Sequence, residues 1–131
     1  MSDKSKLLKA FNTYFFEFVD YIIKILPDNV DVLSSKTLFE ITKKANPTLL
    51  AKLWQQYVFI PYSQELAKGN LSYFIEKDYS QDVVNLNNSQ DVLKSIDNLR
   101  QEIRTMEVDD KKECLKYLQN LNKLSLAYSC S

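Results

Sequence analysis

The chain contains no histidine and only one glycine. Histidine is the side chain that exchanges protons most readily near neutral pH, and acid–base sites use it more often than any other residue. Phosphate-binding loops need several glycines, because the backbone must come close to the phosphate. These absences argue against the common enzyme sites and nucleotide loops. We therefore predict a protein that is not an enzyme and that holds no cofactor.

Cysteine is also scarce, with only Cys114 and Cys130 in 131 residues. A structural zinc site takes four Cys or His ligands, so these two residues do not suffice for one. If both lie on one C-terminal helix, their spacing separates them by roughly 24 Å, which is too far for a disulfide. We expect two free thiols and a reducing, cytoplasmic setting.

The chain has no excess of charge, since 17 Lys and Arg balance 17 Asp and Glu. A basic field that would attract nucleic acid is therefore absent. No apolar run approaches the ~20 residues of a membrane-spanning helix, and no secretory signal segment is visible. We expect no membrane span, the charge balance disfavours nucleic-acid binding, and the sequence indicates no small-molecule substrate.

The most abundant pattern is apolar residues at helical spacing. Between residues 5 and 26 a narrow polar stripe interrupts an otherwise apolar segment, which predicts a helix largely enclosed by others. Further helices are predicted at 30–45, from 46 towards Gly69, at 71–77, from Ser89 onwards and at 109–128, with a loop at 78–88. Pro61 should end or kink the third helix, and Gly69 should end it. We predict one all-α domain over residues 1–131, a compact bundle of five or six helices around a central N-terminal helix.

The second helix offers one apolar face and one basic face. The residues expected to face the core are Val30, Leu33, Thr37, Leu38 and Ile41. Lysines of the opposite face, together with one from the third helix, could contact phosphates; they are Lys36, Lys43, Lys44 and Lys52. Soluble helices carry such lysines routinely, and a solvated face is the competing interpretation.

Aromatic residues cluster in two places. Trp54, Tyr57 and Tyr62 lie near the Pro61 break, and Tyr14 and Tyr21 form a second apolar stripe on the first helix. Trp and Tyr are favoured at binding hot spots, so both groups are candidate protein-interaction residues. The competing interpretation is that their rings simply pack inside the bundle.

Several short segments resemble proteins of one viral group. They are LLKAFN at 7–12, FFEF at 15–18, KANPTL at 44–49, YFIEKDY at 73–79, LQNL at 118–121 and LSL at 124–126. These segments look like those of short uncharacterised helical proteins of nucleocytoplasmic large DNA viruses, the giant viruses of algae and protists. The resemblance covers most of the chain. It implies a viral protein in the host cytoplasm, the virus factory or the virion, and it brings no catalytic residues with it.

The leading hypothesis is a non-enzymatic helical structural or protein–protein interaction module, a component of viral assembly or of the virion. Such a module would bind a protein partner or a second copy of itself. One alternative is a host-modulating helical decoy with a groove for a partner helix, which exposed Trp54, Tyr57 and Tyr62 would favour. Another is a weak nucleic-acid accessory protein that uses the four lysines.

Overall fold

The computed structural model describes residues 2–75 and 90–130, which form six helices. They are α1 (Ser2–Ile25), α2 (Val30–Ala45), α3 (49–67), α4 (Leu71–Ile75), α5 (Gln90–Arg104) and α6 (Val108–Cys130). The helices pack on one another, and no strand occurs in these two ranges. The predicted all-α bundle of five or six helices is therefore confirmed. The loop predicted at 78–88 lies outside the described residues.

Helix α1 is the centre of the bundle, as the sequence predicted. Its buried residues recur at helical spacing, and they are Phe11, Phe15, Phe18, Val19 and Ile22. The ring of Phe15 meets that of Phe39 on α2 at 4.9 Å and that of Trp54 on α3 at 5.9 Å, both edge to face. Helix α6 runs antiparallel along another side of α1. This row of apolar side chains is therefore buried against neighbouring helices on several sides of α1.

Helix α2 presents a different face to the core from the one predicted. Asn29 caps its start by accepting the backbone N–H of Val32 at 3.0 Å. The residues that α2 buries are Val32, Ser35, Phe39 and Thr42. The hydroxyls of Ser35 and Thr42 donate to carbonyls four residues earlier at 2.8 Å, so two core positions are polar at little cost. The predicted inner face is wrong at Val30, Leu33, Thr37 and Ile41, which are exposed, and Leu38 is half-buried.

Helix α3 continues through Pro61. It consists of Leu49–Trp54, a wider π-helical turn at Gln55–Phe59, and Ile60–Ala67. Its buried side chains include a row at every fourth position, namely Leu50, Trp54, Val58, Tyr62 and Leu66. In a regular α-helix such a row would drift by about 40° per repeat. The wide turn, closed by the Ile60 N–H on the carbonyl of Gln55, offsets this drift and keeps the row facing the core.

Pro61 fits this arrangement because it lies in the first turn of the α-helical segment that follows the wide turn. The first turn of a helix tolerates a residue without an N–H. Of the two expected outcomes, an end or a kink at Pro61, the helix does not end there, and the irregularity that precedes the proline is the wide turn. Gly69 does end the helix, with a positive φ of 86° that a side chain would disfavour.

Two arginines of α5 secure the short helix α4. The guanidinium groups of Arg100 and Arg104 each donate to the carbonyl of Ile75 at 2.7 Å. Arg100 is buried and forms an ion pair with Asp97 on its own helix. The carbonyl at the end of α4 is thereby satisfied by two charged donors.

Candidate interaction surfaces

The aromatic residues near Pro61 lie mainly inside the protein. Trp54 is 1% exposed, and its indole Nε1 donates to Oδ1 of Asn122 at 2.9 Å. Tyr62 is 2% exposed and packs against rings of α4, and Tyr57 is half-buried. The rings of Trp54 and Tyr62 belong to the core, so these two residues cannot border an exposed groove.

Tyr14 and Tyr21 belong to a ring cluster between α1 and α6. Together with Phe18 they surround Tyr117, with ring centroids 5.1 to 5.6 Å from its own. Both hydroxyls are hydrogen-bonded to polar side chains of α6. The second apolar stripe of α1 is therefore covered by α6, and its tyrosines connect the two helices.

A cleft between α1 and α2 brings together three of the four candidate lysines. Lys36 forms an ion pair with Asp20 at 2.8 Å, and the ammonium of Lys43 lies over an aromatic ring of α1 at 5.4 Å from its centroid. Lys44 lines the same cleft, which has a volume of about 280 Å³ and also contains a second carboxylate. Lys52 lies on α3 and does not line it. The four lysines do not form one basic face of the kind that follows a phosphate backbone.

The side of α2 that faces solvent is unexpectedly apolar. We name the α2 stripe by its four exposed residues, Val30, Leu33, Thr37 and Ile41. Val30 is 71% exposed, Leu33 41% and Ile41 59%. Their spacing of three, four and four residues places them on one helix face. The sequence predicted this apolar spacing but assigned the residues to the core, so an exposed apolar stripe on α2 was not predicted.

A groove lies where α3 and α6 cross. The α3–α6 groove has a volume of about 450 Å³ and is lined by Phe59, Ser63, Gln64, Ala67, Gln119, Asn122, Lys123 and Leu126. Gln119 is held in place by donating to the carbonyl of Leu66 at 2.7 Å. The two halves of the lining are more than fifty residues apart in the chain, and no local motif marks either half. Sequence reasoning therefore had no signal for this site.

Two groups between α1 and α6, the buried thiol of Cys114 and the half-buried hydroxyl of Tyr21, stay neutral at physiological pH. Burial raises the pKa of the Cys114 thiol to about 12, and the nearby carboxylates of Asp110 and Glu113 add to the effect. Burial, with the hydrogen bond to Asp110, likewise raises the pKa of Tyr21 to about 12. Because a thiol rather than a thiolate is present, Cys114 is a poor nucleophile. Cys130, on the same helix, is exposed, and both thiols are free as predicted.

The described ranges contain no group of three or more His, Cys, Asp or Glu side chains placed to hold a metal ion. In the same ranges no helix combines the length and apolar character required to cross a bilayer. Comparison with protein-family models, curated proteins and solved structures found no match. The function must therefore be inferred from the surfaces of this chain.

Proposed function

We propose that the protein is a non-enzymatic helical interaction module and that the α2 stripe is its binding face. The observation that supports this is the exposure of Val30, Leu33 and Ile41 on a helix whose opposite side is fixed in the core. Burial of apolar surface against a partner recovers roughly 25 cal/mol per Å². A contiguous apolar stripe on an otherwise polar helix face is typical of a protein contact.

The partner we propose is a second copy of the same chain, because the stripe is symmetric about Thr37. Leu33 and Ile41 lie four residues before and after Thr37, and Val30 and Lys44 lie seven residues before and after it. Two copies of α2 can pair antiparallel around a twofold axis at Thr37. Leu33 of one copy then faces Ile41 of the other, and Val30 faces the aliphatic stem of Lys44.

The charges of α2 favour the same arrangement. Its first turn contains Asp31, and its last turn contains Lys43 and Lys44. Antiparallel pairing places each acidic end beside a basic end and opposes the two helix dipoles. Parallel pairing would bring like charges together. A single helix of 16 residues is about 24 Å long and buries less than the ~800 Å² per partner of a standard interface, so we expect a micromolar dimer.

Sedimentation velocity over a wide range of protein concentration tests the proposal. The wild type should shift from monomer to dimer, and Leu33→Glu or Ile41→Glu should remain monomeric with an unchanged helical circular dichroism spectrum. Val108→Glu is the matched control, because Val108 is 67% exposed but lies on α6. A wild type that stays monomeric throughout, or a control that dissociates equally, would contradict the proposal.

Cross-linking tests the position of the axis. In a Cys130→Ser background, Thr37→Cys should form a disulfide-linked dimer under mild oxidation, because the two copies of residue 37 face each other on the axis. Thr105→Cys, at an exposed position in the connection between α5 and α6, should stay reduced. Equal cross-linking of both variants would indicate random collision instead of a specific dimer.

The viral setting remains a proposal that depends on the resemblance. The two free thiols support a reducing compartment such as the host cytoplasm. Mass spectrometry of purified particles against infected-cell lysate would separate a virion component, present in stoichiometric amounts, from a protein that stays in the cell. The decoy hypothesis loses support because Trp54 and Tyr62 are buried, and the nucleic-acid hypothesis because the lysines are dispersed.

A further inference from the structure

The α3–α6 groove has the composition of a small-molecule site. Its volume of about 450 Å³ lies within the range of ligand pockets. Phe59, Ala67 and Leu126 supply apolar surface, and a few polar groups lie among them. Phe59 is also the last residue of the π turn in α3, and such turns are frequent at functional sites. The groove is formed by helices other than α2, so it is independent of the proposed dimer contact.

One polar group in the groove needs a partner that the described chain does not provide. Asn122 is 6% exposed, and its Oδ1 accepts the indole N–H of Trp54. Because an indole nitrogen can only donate, this bond fixes which end of the amide is oxygen. Nδ2 is therefore a donor, and it has no acceptor among the described residues. Buried donors are nearly always satisfied, so the acceptor of Nδ2 lies outside the described residues.

The charge of the groove indicates which kind of oxygen group would accept the hydrogen bond from Nδ2. Lys123 follows Asn122 in the chain and lines the same groove, where it is exposed at the rim. No carboxylate is present among the lining residues that the structure describes. The groove therefore has one positive charge at its rim, and the amide donor lies covered beneath its lining. That combination complements an anionic oxygen group better than a neutral or cationic one.

The dimensions of the groove limit the rest of the ligand. Phe59 and Ala67 are eight residues apart on α3, which corresponds to about 12 Å along the helix. We infer that the α3–α6 groove binds a small amphipathic carboxylate of the medium-chain fatty acid class. The alkyl chain lies along Phe59, Ala67 and Leu126, and the carboxylate pairs with Lys123 and accepts a hydrogen bond from Nδ2 of Asn122. Nδ2 is covered by neighbouring atoms, so binding includes a small shift of the side chains above it.

Decanoate, used below its micelle-forming concentration, is a suitable probe. In amide-correlated NMR spectra of the full chain, titration should move the side-chain NH₂ signals of Asn122 and the indole N–H signal of Trp54. The effect should saturate and should be confined to groove residues. Trp54 is the only tryptophan, so its fluorescence gives a second, independent reading of the same site. Shifts that never saturate, or that occur on the α2 stripe instead, would overturn the inference.

Matched ligands and variants test the role of charge. Decanol and decyltrimethylammonium have the same chain with a neutral or a positive head, and each should bind about tenfold more weakly or not at all. Lys123→Met should weaken decanoate binding about tenfold, and Ala67→Phe should block it by filling the groove. Lys112→Met is the control, because Lys112 is exposed on α6 about three turns away. Equal affinity for decanoate and decanol, or equal loss in the Lys112 variant, would refute the proposed site.

Discussion

The indole N–H of Trp54 donates to the amide oxygen of Asn122 over 2.9 Å, and both side chains are buried. The two residues are 68 positions apart in the chain, so the bond joins α3 directly to α6. It satisfies the polar edge of the largest core side chain, which otherwise would favour contact with water. Nearby, the rings of Phe11 and Phe15 meet the same indole edge to face.

Replacement of Asn122 tests this bond. Asn122→Leu keeps the number of side-chain heavy atoms but leaves the indole N–H buried without its acceptor, so the free energy of unfolding should fall by about 1–3 kcal/mol. Chemical denaturation monitored by circular dichroism measures the change. Asn120→Leu, two residues earlier, removes only an exposed hydrogen bond to Tyr14 and should cost less than about 1 kcal/mol. Equal losses in both variants would mean that the bond contributes nothing specific.

Because α2 buries Phe39 and exposes Ile41, replacements at these two positions should differ strongly in their effect on stability. Phe39 is fully buried, and Phe39→Ala should lower the free energy of unfolding by about 3–5 kcal/mol because it leaves a cavity. Ile41→Ala should cost less than about 0.5 kcal/mol, since Ile41 is exposed. Denaturation should be measured at low protein concentration, where dimer contacts do not add to stability. The reverse order would mean that α2 faces the other way.

The two cysteines should differ in reactivity although they share a helix. In the native protein a thiol reagent should modify only the exposed Cys130 quickly, because Cys114 is buried and protonated. A second equivalent should react once the protein is unfolded without reductant. Cys130→Ser should abolish the fast phase and leave the slow one. Two fast thiols would show that the core around Cys114 opens readily.

Tyr21 should make the protein sensitive to alkali. Its pKa is raised from 10.0 to about 12 by burial and by the hydrogen bond to Asp110, so the unfolded state loses this proton first. The stability linked to this shift is fully present below pH about 10 and is lost as the pH rises towards about 12. Tyr21→Phe should therefore show a shallower loss of stability in denaturation experiments across this pH range. Tyr73→Phe, at an exposed ring, should keep the wild-type slope.

The helical fold could be predicted from the sequence because its main signals are local. The polar stripe of α1, the stop at Gly69 and the regular leucines of α6 are each visible within a short window. The placement of both cysteines on one helix followed from the same periodicity. It was enough to establish that Cys114 and Cys130 are free.

The predictions that depended on tertiary packing were less successful. The face of α2 that enters the core contains Ser35 and Thr42, which polarity alone would assign to the surface. Their hydroxyls donate to carbonyls of the same helix, so they can be buried at little cost. Trp54 was a candidate interaction residue with packing inside the bundle as the competing interpretation, and the sequence could not decide between them because its acceptor, Asn122, lies on a distant helix. The α3–α6 groove was not predicted because its two halves meet only after folding.

The wide turn of α3 contains one more residue than a regular α-helical turn, and this extra residue is what makes a proline acceptable at position 61. A π turn is equivalent to an α-helix with one added residue, so deletion of a single residue within 55–59 would leave Tyr62 and Leu66 in their places in the core. The shortened helix would then be regular, and the ring of Pro61 would clash with the carbonyl four residues before it. A one-residue deletion is therefore compatible with the fold only if the proline is replaced as well. Among homologous chains, we expect the extra residue and the proline to be gained or lost together.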